Sequence, residues 1–350
     1  MRSTIISIVG ARPQFIKAAA VTRAIGRAGN LSEKILHTGQ HFDDNMSEAF
    51  FRDLDIPEPA FRLHVSGGNH GQMTGRMLEA IEAVLVAERP SAVLVYGDTN
   101  STLAGALAAA KLHIPVIHVE AGLRSFNMRM PEEINRILAD RVSSLLLCPT
   151  STAMDNLRNE GITAEIRNVG DVMFDATLFA RERSRSHSSI LARLGLDEGA
   201  YALATVHRAE NAADAAALRR AVSYLEEHAV ERPVIFPVHP RTRAAMEMHG
   251  IAPKNIRLID PVGYFDIHQL LAGAAQVFTD SGGLQKEAYF HRKPCVTLRD
   301  ETEWVETITH GWNRLWSVPD YAPRREIDEY GDGRAAERAV AEIAAFLEAA

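Results

Sequence analysis

The sequence predicts an α/β protein of two doubly wound units, each a parallel sheet covered by helices on both faces. Three observations carry this expectation. Short, near-continuous apolar runs rich in valine and isoleucine alternate with longer runs of helical period along most of the chain. The alternation pauses once, at Arg181–Ser189, where charged residues and serines replace the apolar pattern, and then resumes. Polar, chemistry-bearing residues gather where the apolar runs end, and in open parallel sheets ligands bind in the crevice beyond those ends.

Strands are predicted in the first half at Thr4–Val9, Lys34–Thr38, Ala92–Gly97, Pro115–Glu120, Leu145–Cys148 and Glu165–Val169. Helical patterns separate them near Phe15–Ala28, Gln72–Glu88, Ser101–Leu112, Pro131–Ser143 and Ser151–Glu160. After the pause, strands are predicted at Tyr201–Val206, Pro233–Val238, Ile256–Ile259, Gln276–Thr279 and Pro294–Leu298. The alanine-rich run Gly333–Ala350 has no glycine or proline after its start and predicts a terminal helix. The boundary falls between about Val169 and Ser189, which gives domains of residues 1–172 and 173–334. No sequence repeat is present, although the two halves repeat an architecture.

A chain of 350 residues can bury two cores of ordinary size. Its 46% hydrophobic and 24% charged content is that of a globular protein, and a net charge of −7 argues against a general nucleic-acid binder. Cys148 and Cys295 follow apolar runs, adjoin prolines and have no metal-ligand companions, so both are expected as buried free thiols. The amino terminus lacks the apolar length and cleavage pattern of a signal peptide, and no apolar run is long enough to cross a membrane. A cytoplasmic enzyme or binding protein is the expectation.

The stretch Ile114–Arg141 carries the densest chemistry. An apolar run delivers Glu120 at its end and breaks on Ala121-Gly122. A polar loop with Arg124, Ser125, Asn127 and Arg129 follows, and Pro131 restarts helix with Glu132 and Glu133 in its first turn. Asp98 ends the neighbouring strand. Adjacent strands lie roughly 5 Å apart, so Asp98 and Glu120 are able to share one site rather than Asp98 only capping a helix. At the first strand end, Gly10-Ala11-Arg12-Pro13 with Lys17 one turn on suits an anion, although it is neither a dinucleotide fingerprint nor a P-loop. In the second half, His207 and Arg208 end one strand, and His239-Pro240-Arg241-Thr242-Arg243 repeats the arrangement on the next. Thr279–Ala288 then runs from a strand through Ser281-Gly282-Gly283 into a helix. Backbone amides and the serine hydroxyl there suit a diphosphate, with Glu287 one turn on suited to ribose hydroxyls.

Taken together, these stretches stop looking independent. GARPQFIK (Gly10–Lys17), HTGQHFD (His37–Asp43), YGDTNST (Tyr96–Thr102), HVEAGLRS (His118–Ser125), MPEEINR (Met130–Arg136), HRAEN (His207–Asn211) and TDSGGLQKEA (Thr279–Ala288) follow one another in this order. This set closely resembles the non-hydrolysing UDP-N-acetylglucosamine 2-epimerases over nearly the whole chain. The resemblance implies two Rossmann-like domains of the glycosyltransferase-B type with an interdomain active-site cleft. It implies a homodimer, and a terminal helix of about residues 335–350 that packs back on the first domain. A UDP-sugar is the implied substrate, with no redox cofactor and no metal.

By motif match, Asp98, Glu120, Glu132 and His207 fall on the catalytic positions. Arg12, Lys17, Arg124, Arg136, Arg208, His239, Ser281, Gly282, Gly283 and Glu287 fall on positions that bind substrate or UDP. The implied reaction removes the C2 proton and expels UDP from C1 to give a 2-acetamidoglucal, then re-adds UDP with a proton on the other face. It needs a base, an acid and cations for departing UDP; the motif match does not assign a carboxylate to each face. Two departures stand out. Thr302-Glu303-Trp304-Val305-Glu306 replaces the usual Thr-Glu-Arg-Pro-Glu, and Phe42–Met46 lacks the arginine- and glutamate-bearing continuation of the substrate-activated subgroup. GNHGQMTGRM, FNMRMPEEINR and TEWVE look similar to a subgroup acting on UDP-2,3-diacetamido-2,3-dideoxyglucuronate, whose C6 carboxylate suits Arg124, Arg129 or Arg243. A glycosyltransferase or a hydrolysing nucleotide-sugar enzyme of the same fold is the alternative of another class.

Overall fold

The structure is a computed structural model and describes residues 2–40, 51–207, 211 and 214–349. The chain divides into two compact units: Met1–Ala176 with Asp328–Ala350, and Thr177–Ile327.

The first unit is a seven-stranded, wholly parallel sheet in the order β3-β2-β1-β4-β5-β6-β7. These are Phe61–Arg62 (β3), Leu31–His37 (β2), Ser3–Val9 (β1), Ala92–Tyr96 (β4), Val116–Val119 (β5), Leu145–Cys148 (β6) and Glu165–Asn168 (β7). The chain starts in the middle, winds one way, then crosses to β4 and winds the other way, so the topological switch point lies between β1 and β4. There Ile5–Ile8 pairs in register with Ala92–Val95. Ile6, Ile8, Leu36, Val93, Val95 and Val116 form the core with small residues of helix Asn100–Lys111, including Ala104 and Ala108. Alanines and Gly105 on that helix let it lie close against the sheet.

The second unit repeats the winding with six parallel strands, in the order β10-β9-β8-β11-β12-β13. They are Ile256–Ile259 (β10), Val234–Pro237 (β9), Ala202–Thr205 (β8), Gln276–Thr279 (β11), Cys295–Thr297 (β12) and Asn313–Leu315 (β13). Ala204, Phe236, Phe278 and Val296 bury one face, whereas Leu203, Ile235, Val277 and Cys295 bury the other. Alternate side chains are apolar on both faces, which is why these strands read as continuous apolar runs. The switch point here lies between β8 and β11.

Three expectations change. Strands β3 and β13 were not legible: β3 has only two residues, and β13 is a short edge strand carrying Asn313 and Arg314. Residues through His187 of the charged stretch belong to helix Val172–His187, and the division between the units falls inside that helix. Its charges are the solvated face of a helix rather than a break in structure. The terminal helix runs Ala335–Ala349 and packs against helix Arg12–Ala28 of the first unit. Asp175 tethers its start, accepting from the amides of Ala335 (3.0 Å) and Ala336 (2.7 Å). Both cysteines are buried free thiols. Among the described residues no helix is long and apolar enough to cross a membrane.

Candidate active site

In each unit the candidate residues collect at the switch point. In the first unit, β1 ends on Gly10, β4 on Gly97-Asp98 and β5 on Glu120. Lys17, one turn inside helix Arg12–Ala28, meets Glu120 in a salt bridge buried on both sides. Glu120 holds φ +70°, a left-handed backbone that a non-glycine residue adopts only under constraint. Its amide donates to Leu147 O at 3.0 Å. Gly97 makes this crowding possible. It holds φ +59°, and a Cβ there would lie 2.9 Å from Lys17 Nζ and 3.3 Å from Glu120 Oε2.

Asp98 pairs with Arg136, whose guanidinium donates to Asp98 Oδ2 at 2.6 Å. Arg136 is buried, and it also lies 3.3 Å from Glu133 Oε2. Glu132, on the first turn of helix Pro131–Val142, is partly exposed and faces no cation among the described residues. Glu133 turns the other way and is 1% exposed. It accepts from the Ser125 amide (2.9 Å), the Ser125 hydroxyl (2.9 Å) and the Phe126 amide (2.8 Å), tying the arginine-bearing loop to the helix start.

Two expected anion ligands are placed elsewhere. Arg124 is buried, and its Nε and second guanidinium nitrogen donate to the two oxygens of Glu160 at 2.6 and 2.7 Å. Its remaining nitrogen donates to Asp140 and to Leu123 O. In this structure Arg124 is therefore a framework cation, because five-donor guanidinium geometry is satisfied inside the unit. The Gly10 and Ala11 amides are likewise occupied. Both donate to Gln14 Oε1, at 2.9 and 3.2 Å, while Gln14 Nε2 donates to Tyr96 O and Thr102 Oγ1. Arg12 and Pro13 of that turn are exposed, and Lys17 is directed at Glu120 rather than outward.

In the second unit, fully buried Asp280 at the end of β11 organises the switch point. It accepts from the His207 amide (3.1 Å) and Asn211 Nδ2 (3.1 Å), and its Oδ1 lies 3.6 Å from His207 Nδ1. Thr205 and Thr279 join β8 to β11 by a 2.6 Å hydroxyl hydrogen bond. The His207 ring is 46% exposed beyond this anchor. Ser281 caps helix Gly282–Phe290, its Oγ accepting from the Leu284 amide at 3.4 Å. The amides of Gly282 and Gly283 lie in the first turn, outside the intrahelical ladder. A Cβ on Gly282 would fall 2.5 Å from Glu303 Oε1, so a larger residue there would displace the Glu303 carboxylate. Buried Glu287 follows one turn on. Its Oε1 lies 3.8 Å from His268 Nε2, and His268 Nδ1 is 2.9 Å from His291 Nε2. Burial pushes His291 down to about 3, with Arg181 and Lys293 adding to the effect, so it is neutral. His239 caps helix Pro240–Met248 and is exposed, and Arg243 pairs with exposed Asp260 at 3.1 Å. Arg208 and the Phe42–Met46 stretch lie outside the described residues.

The residues that the motifs did not single out are Gln14, His118, Asp140 and Asp280. Asp280 had a usable signal: an acidic residue at the end of a central strand, the same signal that drew attention to Asp98. The others act from buried positions and left none.

Two Rossmann-like units, a carboxylate set on one switch point and a glycine-led helix start on the other define an enzyme of the glycosyltransferase-B structural class. Residues 23–344 match the family model described as UDP-N-acetylglucosamine 2-epimerase. The chain is 57% identical over 315 residues to the UDP-2,3-diacetamido-2,3-dideoxy-D-glucuronate 2-epimerase of Pseudomonas aeruginosa, covering 89% of this chain and 87% of that one. It is 43% identical over 319 residues to the UDP-N-acetylglucosamine 2-epimerase of Methanocaldococcus jannaschii, covering 88% and 87%. A crystal structure of a UDP-GlcNAc 2-epimerase from that organism, in complex with UDP-GlcNAc and UDP, superposes with a TM-score of 0.89 at 40% identity, covering 99% and 100%. The chain belongs to the UDP-N-acetylglucosamine 2-epimerase family and is an isomerase.

Proposed function

We propose that this isomerase inverts C2 of a UDP-2-acetamido sugar by elimination and re-addition of UDP. The observation that carries the reading is the pair of carboxylates Asp98 and Glu120 at neighbouring strand ends, each opposed by a cation, with Glu132 on the helix that follows facing none among the described residues. In the forward step a base takes the C2 proton, the C1–O bond breaks, and its electron pair leaves with UDP. The product is a 2-acetamidoglucal, and reversal with a proton on the other face gives the epimer. C1–O cleavage running ahead of proton loss puts positive charge on the sugar, which suits the anions of Asp98 and Glu120. Glu132, which faces no cation among the described residues, suits proton transfer, with His207 as a further acid–base group. On the second unit, the Ser281 hydroxyl and the Gly282 and Gly283 amides suit the diphosphate and Glu287 suits the ribose. Arg12, His239 and Arg208 are assigned to the anionic end of the substrate. Arg136 serves through Asp98.

The 57% identity to the P. aeruginosa enzyme, against 43% to the M. jannaschii one, supports UDP-2,3-diacetamido-2,3-dideoxy-D-glucuronate as the substrate. Exposed Arg129 is the loop arginine suited to its C6 carboxylate, since Arg124 is committed to Glu160. UDP-N-acetylglucosamine, converted to UDP-N-acetylmannosamine, is the second reading, favoured by the fit to the structure in complex with that sugar. Each substrate, incubated with the enzyme in deuterium oxide, separates the readings. Deuterium at C2 and equilibration of the epimers are expected with the uronate. Exchange with UDP-N-acetylglucosamine alone selects the second reading, and exchange with neither overturns both. Arg129→Ala is expected to raise KM for the uronate about tenfold, as for loss of one charge-assisted contact, with little change in kcat.

The enzyme is further proposed to be a cytoplasmic homodimer. Phe126 (78% exposed) and Met128 (60%) on the loop, and Ile134 (41%) and Leu138 (42%) one turn apart on the helix, are large exposed apolar side chains, and where such side chains cluster they mark association sites. Sedimentation of Leu138→Lys against the parent protein tests it, with a shift toward monomer expected.

A further inference from the structure

We infer that His118 is a positioning residue of this site, anchored by Asp140, and that it fixes the turn carrying Asp98 through the Gly97 carbonyl. The inference rests on the reading of Asp98 as a catalytic carboxylate and extends it to a residue that touches no substrate.

His118 is on β5 and fully buried. Its Nε2 lies 2.7 Å from Gly97 O, and its Nδ1 lies 2.7 Å from Asp140 Oδ1. A backbone carbonyl only accepts, so Nε2 bears a proton. Asp140 is also fully buried, on helix Pro131–Val142. Its Oδ2 accepts from Arg124 at 2.7 Å and from the Gly122 amide at 3.2 Å. These two contacts turn the other oxygen, Oδ1, to the His118 ring, so the ring is held at both nitrogens.

The anchor is itself fixed. Arg124, on the loop after β5, pairs with Glu160 at the end of helix Ser151–Asn159. Cys148 on β6 is kept as a thiol by burial and by the Asp140 charge, against the smaller pull of Arg124 and Arg158. His118, Asp140, Arg124 and Glu160 thus form one connected hydrogen-bonded chain.

What this ring holds is the Gly97 peptide. Gly97 donates to Val119 O at 3.1 Å, its carbonyl is taken by His118, and the next carbonyl, that of Asp98, accepts from Asn135 at 2.9 Å. The turn is fixed at three points, and Asp98 projects from it onto Arg136. Release of the Gly97 carbonyl frees the middle of that turn, and displacement of a reacting group by about 1 Å costs about a hundredfold in rate.

The test has a spectroscopic and a kinetic arm. In the intact enzyme labelled with 15N-histidine, the His118 signal is identified by its loss in His118→Gln. The ring Nε2 should carry a proton that exchanges slowly with solvent, because the Gly97 carbonyl only accepts. Asp140→Asn should speed that exchange. An Nε2 without a proton in the parent protein overturns the inference, whatever the variants do. In the kinetic arm, His118→Gln is expected to lower kcat for C2 exchange about a hundredfold, with KM and UDP affinity within about threefold. Full kcat in folded His118→Gln overturns the positioning role. Asp98→Asn, measured in parallel, separates the two levels: retention of exchange there sinks the catalytic reading of Asp98 itself.

Discussion

At the scale of single residues, the Lys17–Glu120 pair concentrates the physical tension of the first unit. Both side chains are buried, and Glu120 holds a left-handed backbone with an unfavourable energy of order 1–3 kcal/mol. Such strain persists because the Leu147 carbonyl, Lys17 and the Gly97 turn all fix the residue at once. Glu120→Gln is expected to lower kcat for C2 exchange by about 10²–10⁴, with UDP affinity, read by calorimetry, unchanged. Lys17→Met leaves a buried carboxylate uncompensated and should cost about 3–5 kcal/mol in denaturant unfolding. The double variant should regain much of that stability and none of the activity. An additive loss of stability would show that the two side chains do not interact.

At the scale of elements, helix Pro131–Val142 shows how a motif divides its labour. Two adjacent glutamates open it. Glu132 looks outward, whereas Glu133 binds the amides of Ser125 and Phe126. Glu133→Ala is expected to destabilise the protein by about 2–3 kcal/mol, the cost of leaving buried donors without their charged acceptor. Hydrogen exchange at the Ser125 and Phe126 amides should accelerate ahead of that at β5. Glu132 was singled out by motif match; that neighbouring residues on a helix point about 100° apart explains why Glu133 is free to turn to the loop. The fate of Arg124 was not legible in the sequence. Its bidentate partner Glu160 lies 36 residues away in sequence, and no local pattern reports so distant a pairing. The Gly10 turn misled for a related reason: a side chain, Gln14, takes the amides that an open turn would offer to an anion. Most strands were legible as apolar runs, and polar edge strand β7 was legible as well, whereas the two- and three-residue edges β3 and β13 were not.

At the scale of the molecule, the tether between Asp175 and the terminal helix gives a pH signature. Burial raises the Asp175 carboxyl to about 6, against the pull of the Ala336 and Ala335 amides, with Asp171 adding to the rise and Arg338 opposing it. Because the folded value lies above the unfolded one, near 3.9, the folded state binds the proton more tightly. The stability this contributes is present below about pH 4 and is lost as pH rises through about 6. Thermal unfolding of Asp175→Asn should therefore lack that segment of the pH dependence, and an unchanged slope would count against the assignment. The two windings and the charge set at strand ends were readable from the order of apolar runs. The helical continuity across Arg181–His187 was not, because a solvated helix face and a polar loop have the same composition.

The return of helix Ala335–Ala349 to the unit begun by Ser3–Val9 also orders events during synthesis. Helix Arg12–Ala28 leaves the ribosome early with a flank that helix Ala335–Ala349, made after the whole second unit, comes to cover. All of Thr177–Ile327 must be translated first, and it is continuous in sequence, so it can fold while the earlier sheet still waits. Closing so long a loop adds little entropy beyond that of a shorter one. Time, rather than free energy, is what the arrangement demands. The newborn first unit is expected to be the chaperone-dependent half, and a ribosome stalled before residue 335 should hold it with helix Arg12–Ala28 open to protease.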